Sequence, residues 1–153
     1  MPRRRKTWRE KMEAVKEPKI VDDPKGRGKM LVPTPRLVEA LIRKVPRGRV
    51  ITTDQLRERL ARDFGADLTC PLATGWFIRI VAEAAEEELR EEGKTIEEVA
   101  PYWRVVRPGG RLIDKFPGGA ERQAERLRME GVAVGVRRGR YVVEDLEKYL
   151  YEL

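Results

Sequence analysis

Histidine is absent from the 153 residues of this chain, and cysteine occurs once, as Cys70. The first absence removes Ser-His-Asp and Cys-His arrangements together with the commonest metal ligand. Few enzyme mechanisms survive it, and no catalytic residue, cofactor or metal site is expected. A single cysteine excludes an intramolecular disulfide framework and fits a reducing compartment, so a cytoplasmic location is expected. Phe, Trp and Tyr together make up only 7% of the residues. No stretch approaches the ~20 consecutive apolar residues that a membrane span requires. The basic N-terminus lacks the apolar run of a secretory signal, and no membrane partner is expected.

Charge is what the chain has in abundance: 39% of its residues are Asp, Glu, Lys or Arg, with a net charge of +7. Residues 1–30 carry 11 Lys/Arg against 5 Asp/Glu, and residues 31–82 carry 9 against 5. Residues 83–98 reverse the sign, with 2 against 8, and residues 99–153 carry 11 against 8. One acidic stretch therefore divides basic segments. Either it gives the domain a second electrostatic face, with the basic face free to attract phosphates, or its carboxylates simply solvate a helix.

The pattern divides the chain into a basic, flexible tail over residues 1–30 and one folded domain over residues 31–153. The tail holds Arg3-Arg4-Arg5-Lys6 and the loose run Lys25-Gly-Arg-Gly-Lys29. It either orders on a nucleic-acid backbone or serves as a solubilising extension. Trp8 either docks back on the domain or stacks on a base. From Thr34-Pro35, a cap and first-turn pair, Leu37, Val38, Leu41, Ile42 and Val45 recur at helical spacing. Pro46-Arg47-Gly48-Arg49 makes a turn. Thr53 is expected to cap a second helix with Leu56, Leu60 and Phe64 on one side, closed by Gly65. Residues 67–75 read as a loop. A third helix is expected from Trp76 to Arg90, with Phe77, Ile80, Val81 and Ala84 as its apolar stripe, and with Trp76 and Phe77 in the core. Thr95 and Glu98 form a capping-box pattern that starts one more helical turn. Val105-Val106 and Leu112-Ile113 read as short strands around Pro108-Gly109-Gly110, and residues 120–129 as a helix. Val132–Val134 and Tyr141–Val143 form a hairpin with an arginine-rich tip, and Glu144–Leu153 a closing helix.

Pro101-Tyr102-Trp103-Arg104-Val105-Val106 resembles the Pro-Cys-His-Arg-Val-Val signature of DNA alkyltransferases, which move an alkyl group from O6 of guanine to a cysteine. Pro46-Arg-Gly-Arg-Val50-Ile-Thr-Thr53 resembles the segment that opens their helix-turn-helix. Ile78-Arg79-Ile80-Val81-Ala82-x-Ala84 resembles a segment of their recognition helix, and Lys115-Phe116-Pro117-Gly118-Gly119 their pocket loop. Glu121-Arg122 and Glu130-Gly131 continue the series. The hairpin and short helix at the end are similar to those of alkyltransferase-like proteins, the branch without the acceptor cysteine.

The resemblance implies a mainly α fold with small β-hairpins, a helix-turn-helix or winged-helix-like DNA-binding domain. It implies a non-catalytic, monomeric binder of double-stranded DNA, associated with the nucleoid. Such a protein reads the minor groove, senses alkylated bases and flags them for nucleotide excision repair proteins. Arg79 takes the place of the arginine that enters the base stack. Thr52, Thr53, Arg47, Arg49, Arg104, Arg137, Arg138 and Arg140 are the other expected DNA contacts. Tyr102, Trp103, Phe116, Gly118 and Gly119 are expected around the base pocket, where the two aromatic rings either hold an extruded base or fill the space themselves. Glu130, left without a histidine to orient, is expected to pair with an arginine or a backbone donor.

Three departures bear on function. Tyr102 and Trp103 replace the reactive cysteine and its histidine: a phenol with a pKa of about 10 is a poor nucleophile at neutral pH, and an indole relays no proton. The family's phosphate-rotating tyrosine is read as replaced by Asp54, whose carboxylate would repel a phosphate. The Asn-Pro hinge before the signature gives way to the acidic stretch 83–98. Two other functions fit the same residues: an RNA- or protein-binding module using the acidic helix as a partner surface, and alkyl transfer to Cys70.

Overall fold

The computed structural model describes residues 5–153, so Arg3 and Arg4 lie outside the described residues. Helix α2 (Pro35–Ile42) starts as expected. The Thr34 hydroxyl accepts from the Leu37 N–H at 3.2 Å, and Pro35 occupies the first turn, where an N–H would have no helical partner. Helix α3 (Thr53–Phe64) begins one residue earlier than expected. Thr52, not Thr53, caps it, in a reciprocal box with Gln55. Gly65 closes it at φ 66°, a left-handed geometry that glycine adopts without strain.

Helix α4 (Pro71–Glu91) is longer than expected at its start. The loop anticipated at residues 67–75 shrinks to strand β4 (Leu68–Thr69) and the residue before Pro71. Pro71 suits a first turn, and Thr74 ties back to the Cys70 carbonyl through its hydroxyl at 2.7 Å. Ala73, Phe77, Ile78, Val81, Ala82 and Ala85 bury its inner face. Trp76 is not among them: it is 61% exposed, against the expectation of a core position. In the order α3, β4, α4 the expected helix-turn-helix sequence is present.

The sheets are small. Strand β1 (Lys19–Asp22) runs antiparallel to β2 (Lys29–Val32), and β2 takes β4 in parallel on its other edge. Strand β3 (Ile51–Thr52) lies parallel to β5 (Val105–Val106), with Ile51 opposite Val105 and Thr52 opposite Val106. This pairing carries the start of α3 to the signature segment. Helix α5 (Gly119–Met129) follows, with Ala124 and Leu127 in the core. Strands β6 (Val134–Arg137) and β7 (Arg140–Val143) make the hairpin.

Residues 5–30 differ from a flexible tail. Helix α1 (Trp8–Met12) lies against α4, with Met12 only 1% exposed. The backbone N–H groups of Trp8 and Arg9 donate to the Glu87 carboxylate at 3.1 and 3.2 Å. A helix N-terminus needs acceptors and a buried carboxylate needs donors, and each supplies the other. The end of the chain also differs. The closing helix is a single turn, α6 (Leu146–Tyr149), because the chain then extends along Val50. The Val50 N–H donates to the Tyr149 carbonyl at 2.9 Å, and Tyr151 returns a bond to the Val50 carbonyl at 2.8 Å. Leu112-Ile113 is not a strand. One bridge, Arg111 to Val142, stands there instead. Thr95 and Glu98 close a turn rather than opening a helix.

Candidate nucleic-acid interface

The signature aromatics are sealed inside the domain. Tyr102 is 1% exposed and Trp103 2%, in a short turn that leads into β5. Their rings meet edge to face at 5.3 Å, and Tyr102 meets Phe116 the same way at 5.0 Å. Of the two alternatives for these rings, the structure takes the second: they fill the space themselves.

Each ring is anchored by a buried carboxylate. The Tyr102 hydroxyl donates to Glu86 Oε2 at 2.7 Å and accepts from Arg126 Nη1 at 2.9 Å. Arg126 pairs directly with Glu86, and Arg122 adds a bond at 3.1 Å. Burial alone would raise the Glu86 carboxyl, but the hydrogen bonds of Arg126 and Tyr102 and the two guanidinium charges hold it below its ordinary value. Burial, reinforced by the bond to Glu86, pushes the Tyr102 hydroxyl well up, although the Arg126 charge opposes it. A phenol so placed keeps its proton and is held between Glu86 and Arg126, so it is no substitute for a thiolate.

Glu130 does what was expected of it and more. It accepts from Trp103 Nε1 at 2.8 Å, from Arg104 Nη2 at 2.8 Å and from the Gly48 N–H at 2.9 Å. Burial raises this carboxyl, and the Arg104, Gly48 and Trp103 bonds outweigh that and lower it. Arg104 also donates to the Val45 carbonyl at 2.7 Å, and its side chain is 14% exposed. It belongs to the core network, not to a phosphate-binding surface. Gln123, buried as well, bridges the Trp103 and Val105 carbonyls and the Ile113 N–H.

Beside this sealed core lies a cavity of about 440 Å³. Thr53 at the start of α3, Trp76 and Arg79 on α4, and Arg107, Lys115 and Phe116 on the following loops line it. Three of these carry positive charge, and no carboxylate lines the cavity. The Nε of Arg107 is buried without a hydrogen-bond partner, the one such side-chain atom among the described residues. Phe116, 3% exposed, forms the floor and contacts the Tyr102 ring beneath it. The Arg79 side chain is half exposed; Glu83 lies 4.0 Å from it on the same helix, and the Trp8 ring centroid 5.8 Å away.

Other expected contacts separate into two sets. Thr53 lines the cavity. Thr52 is buried as the α3 cap. Asp54 points elsewhere, pairing with Arg57 at the edge of a different depression. Counted along the Pro46–Thr53 motif, Thr53 rather than Asp54 falls at the tyrosine's position, and Asp54 does not line the cavity. Arg47 and Arg49 are exposed but already donate to carbonyls, Arg47 to Met129 and Arg49 to Lys148 and Leu150. Arg137, Arg138 and Arg140 are exposed on the hairpin, with Arg138 at φ 52° in the turn. Gly118 and Gly119, both at positive φ, open α5 and share a depression with Arg138 and Arg140. The loop 114–119 thus borders the hairpin on one side and the cavity on the other.

Three carboxylates of the acidic stretch are spent internally. Glu86, Glu87 and Glu88 are each under 8% exposed, and Glu88 pairs with Arg9 at 2.9 Å and Lys94 at 3.3 Å. Neither a solvated acidic face nor an acidic partner surface is left at these three positions. Cys70 sits before α4 with its N–H on the Leu31 carbonyl at 2.8 Å and does not line the cavity. Among the described residues no helix is long and apolar enough to cross a membrane, and no metal-ligating cluster occurs.

Sequence reasoning missed Arg107, Lys115, Leu72 and Trp76. The signal for the last two was present: Leu72, Trp76 and Arg79 follow one another by four and three residues, which puts them on one helix face.

A family described as the DNA-binding domain of 6-O-methylguanine DNA methyltransferase matches residues 33–132. Two solved structures share the fold. S. pombe Atl1 in complex with damaged DNA containing O6-carboxymethylguanine is 22% identical at a TM-score of 0.52, over 76% of this chain and 93% of that one. S. pombe ATL in complex with DNA is 20% identical at a TM-score of 0.52, with the same coverage. No curated protein matches the chain in sequence. The family match begins after β2, so α1 and the first sheet strands lie outside it.

Proposed function

Since the chain belongs to the 6-O-methylguanine DNA methyltransferase DNA-binding domain family, we propose that it is a non-catalytic DNA-binding protein that senses alkylated bases in duplex DNA. The observation that carries this reading is the pairing of a sealed signature with an open, cationic cavity beside it. The positions that would transfer an alkyl group are occupied by rings locked to Glu86 and Glu130. The adjoining surface, with Arg79, Arg107 and Lys115, keeps its charge for phosphate.

In this reading α4 lies in the minor groove and Arg79 enters the stack, as the family resemblance implies. Thr53 leaves room where the family has a tyrosine. Arg137, Arg138 and Arg140 on the hairpin, with Arg5 and Lys6, exposed ahead of α1, contact the flanking backbone. The protein acts as a monomer in the cytoplasm, on the nucleoid, and marks its sites for nucleotide excision repair proteins. Support for damage sensing comes from the shared fold, because Atl1 is seen with O6-carboxymethylguanine DNA.

The test is a titration of the full chain against plain duplex, O6-methylguanine duplex, single strands and RNA, each at two salt concentrations. Preference for the alkylated duplex, lost in Arg79→Ala, supports the proposal. A steep salt slope without lesion preference reduces it to structural DNA binding. Failure to bind any DNA at low salt removes it. Mass spectrometry on the same samples checks Cys70, and a gain of one methyl there would make the protein an acceptor after all.

A further inference from the structure

Most of the apolar surface of α4 is buried, yet its outer face presents Leu72 at 62% and Trp76 at 61% exposure. Full burial of such side chains is worth roughly 1.5–3 kcal/mol each, so leaving two of them together in water is a cost that folding alone does not explain. Their surroundings narrow the possible occupant. Both line the 440 Å³ cavity together with Arg79, Arg107 and Lys115. Three cations and no lining carboxylate suit a polyanion rather than an apolar protein surface. An indole beside guanidinium and ammonium groups suits a nucleobase flanked by phosphates.

We propose that Leu72 and Trp76 form an apolar wedge that enters the duplex beside Arg79, with Trp76 stacking on an unstacked base over the cavity. The geometry divides the labour along one helix face. Leu72 and Trp76 lie four residues apart, and Arg79 follows three residues later, so the three project in one row. Phe116 closes the floor, which limits how deep an extruded base sits and leaves its exposed face to the indole. Arg107, whose buried Nε lacks a partner, and Lys115 are placed to take the phosphates on either side. An aromatic or aliphatic side chain driven between base steps unstacks and kinks DNA, and the contacts it permits offset that cost. This inference rests on the DNA-binding reading and adds a residue class to it: recognition by stacking, not only by an inserted arginine.

The experiment uses the full chain, Trp76→Ala, Trp76→Phe and Leu72→Ala. The probe is a duplex carrying 2-aminopurine next to O6-methylguanine. Wild type is expected to bind and to change the 2-aminopurine emission. Trp76→Ala is expected to lose about tenfold in affinity, with the salt slope unchanged because no charge is removed, and to lose most of the emission change. Trp76→Phe should retain most of both. Trp76 is exposed, so circular dichroism of the alanine variant should match wild type. If Trp76→Ala binds and signals like wild type, the wedge is overturned while DNA binding stands. If wild type itself binds no DNA, both readings fall together. If Trp76→Ala steepens or flattens the salt slope without altering the emission, the indole acts through charge placement and not by stacking, which also overturns the wedge.

Discussion

Trp103 Nε1 donates to Glu130 Oε2 at 2.8 Å, across 27 residues of chain. This carboxylate holds an indole, an arginine and a backbone N–H at once. Glu130 is a structural centre, and its removal should be felt as stability. Glu130→Gln leaves Arg104 without its charge partner in a nearly buried site, and is expected to cost about 3 kcal/mol in urea unfolding. DNA affinity of the folded fraction should stay close to wild type.

Acid should unfold the protein through the same carboxylates. Glu86 and Glu130 are both held below the ordinary value of 4.5 in the folded state. Their contribution is therefore complete above about pH 4.5 and is lost as pH falls through the lower folded values. Unfolding free energy measured from pH 7 to pH 3 should be flat at first and then fall. Glu86→Gln should start lower and lose less over the acid limb.

Tyr102→Phe separates packing from ligand recognition. The ring stays and the bond to Glu86 goes, so about 1 kcal/mol of stability should be lost. Because Phe116 lies between this ring and the cavity, affinity for O6-methylguanine duplex should not change by more than about twofold in an anisotropy titration. A large affinity loss would mean that Tyr102 reaches the base.

Helix α1 should depend on Glu87. Glu87→Gln weakens the acceptor for the Trp8 and Arg9 N–H groups, and about 1 kcal/mol of local stability should go with it. Hydrogen exchange should accelerate in residues 8–12 more than in α2. Trp8 emission should shift to the red as the ring leaves Lys11, whose ammonium now lies 4.0 Å from its centroid.

Lys115→Ala tests the phosphate assignment at the cavity rim. Affinity should fall uniformly across sequences, and the slope of log K against log salt should drop by about one, read from titrations between 50 and 200 mM salt. A change in lesion preference without a change of slope would place Lys115 on the base.

Much of the helical frame was legible because its signals are local. Thr34-Pro35 marks the start of α2, Gly65 the end of α3, and the spacing Phe77, Val81, Ala84 the inner face of α4. Boundaries failed where two local signals competed, as at Thr52 and Thr53, and the reciprocal bond to Gln55 decided between them. The expected closing helix failed for another reason: Val50 offers the chain a backbone partner about a hundred residues away, which no window of sequence contains.

The sequence by itself determined that this protein has no histidine and a single cysteine, that its helices follow in helix-turn-helix order, and that its net charge is +7. Composition and periodicity settle those matters, since they need no knowledge of distant neighbours. Tertiary structure alone decided that Arg104 turns inward to Glu130 while Trp76 turns outward, and that Glu86 and Glu87 of the acidic run serve Tyr102 and α1 rather than solvent. A charge or a ring is the same residue in either place. Which way it faces is fixed by the partner that long-range packing brings to it, because a buried charge must be paired and an exposed ring must find its contact elsewhere.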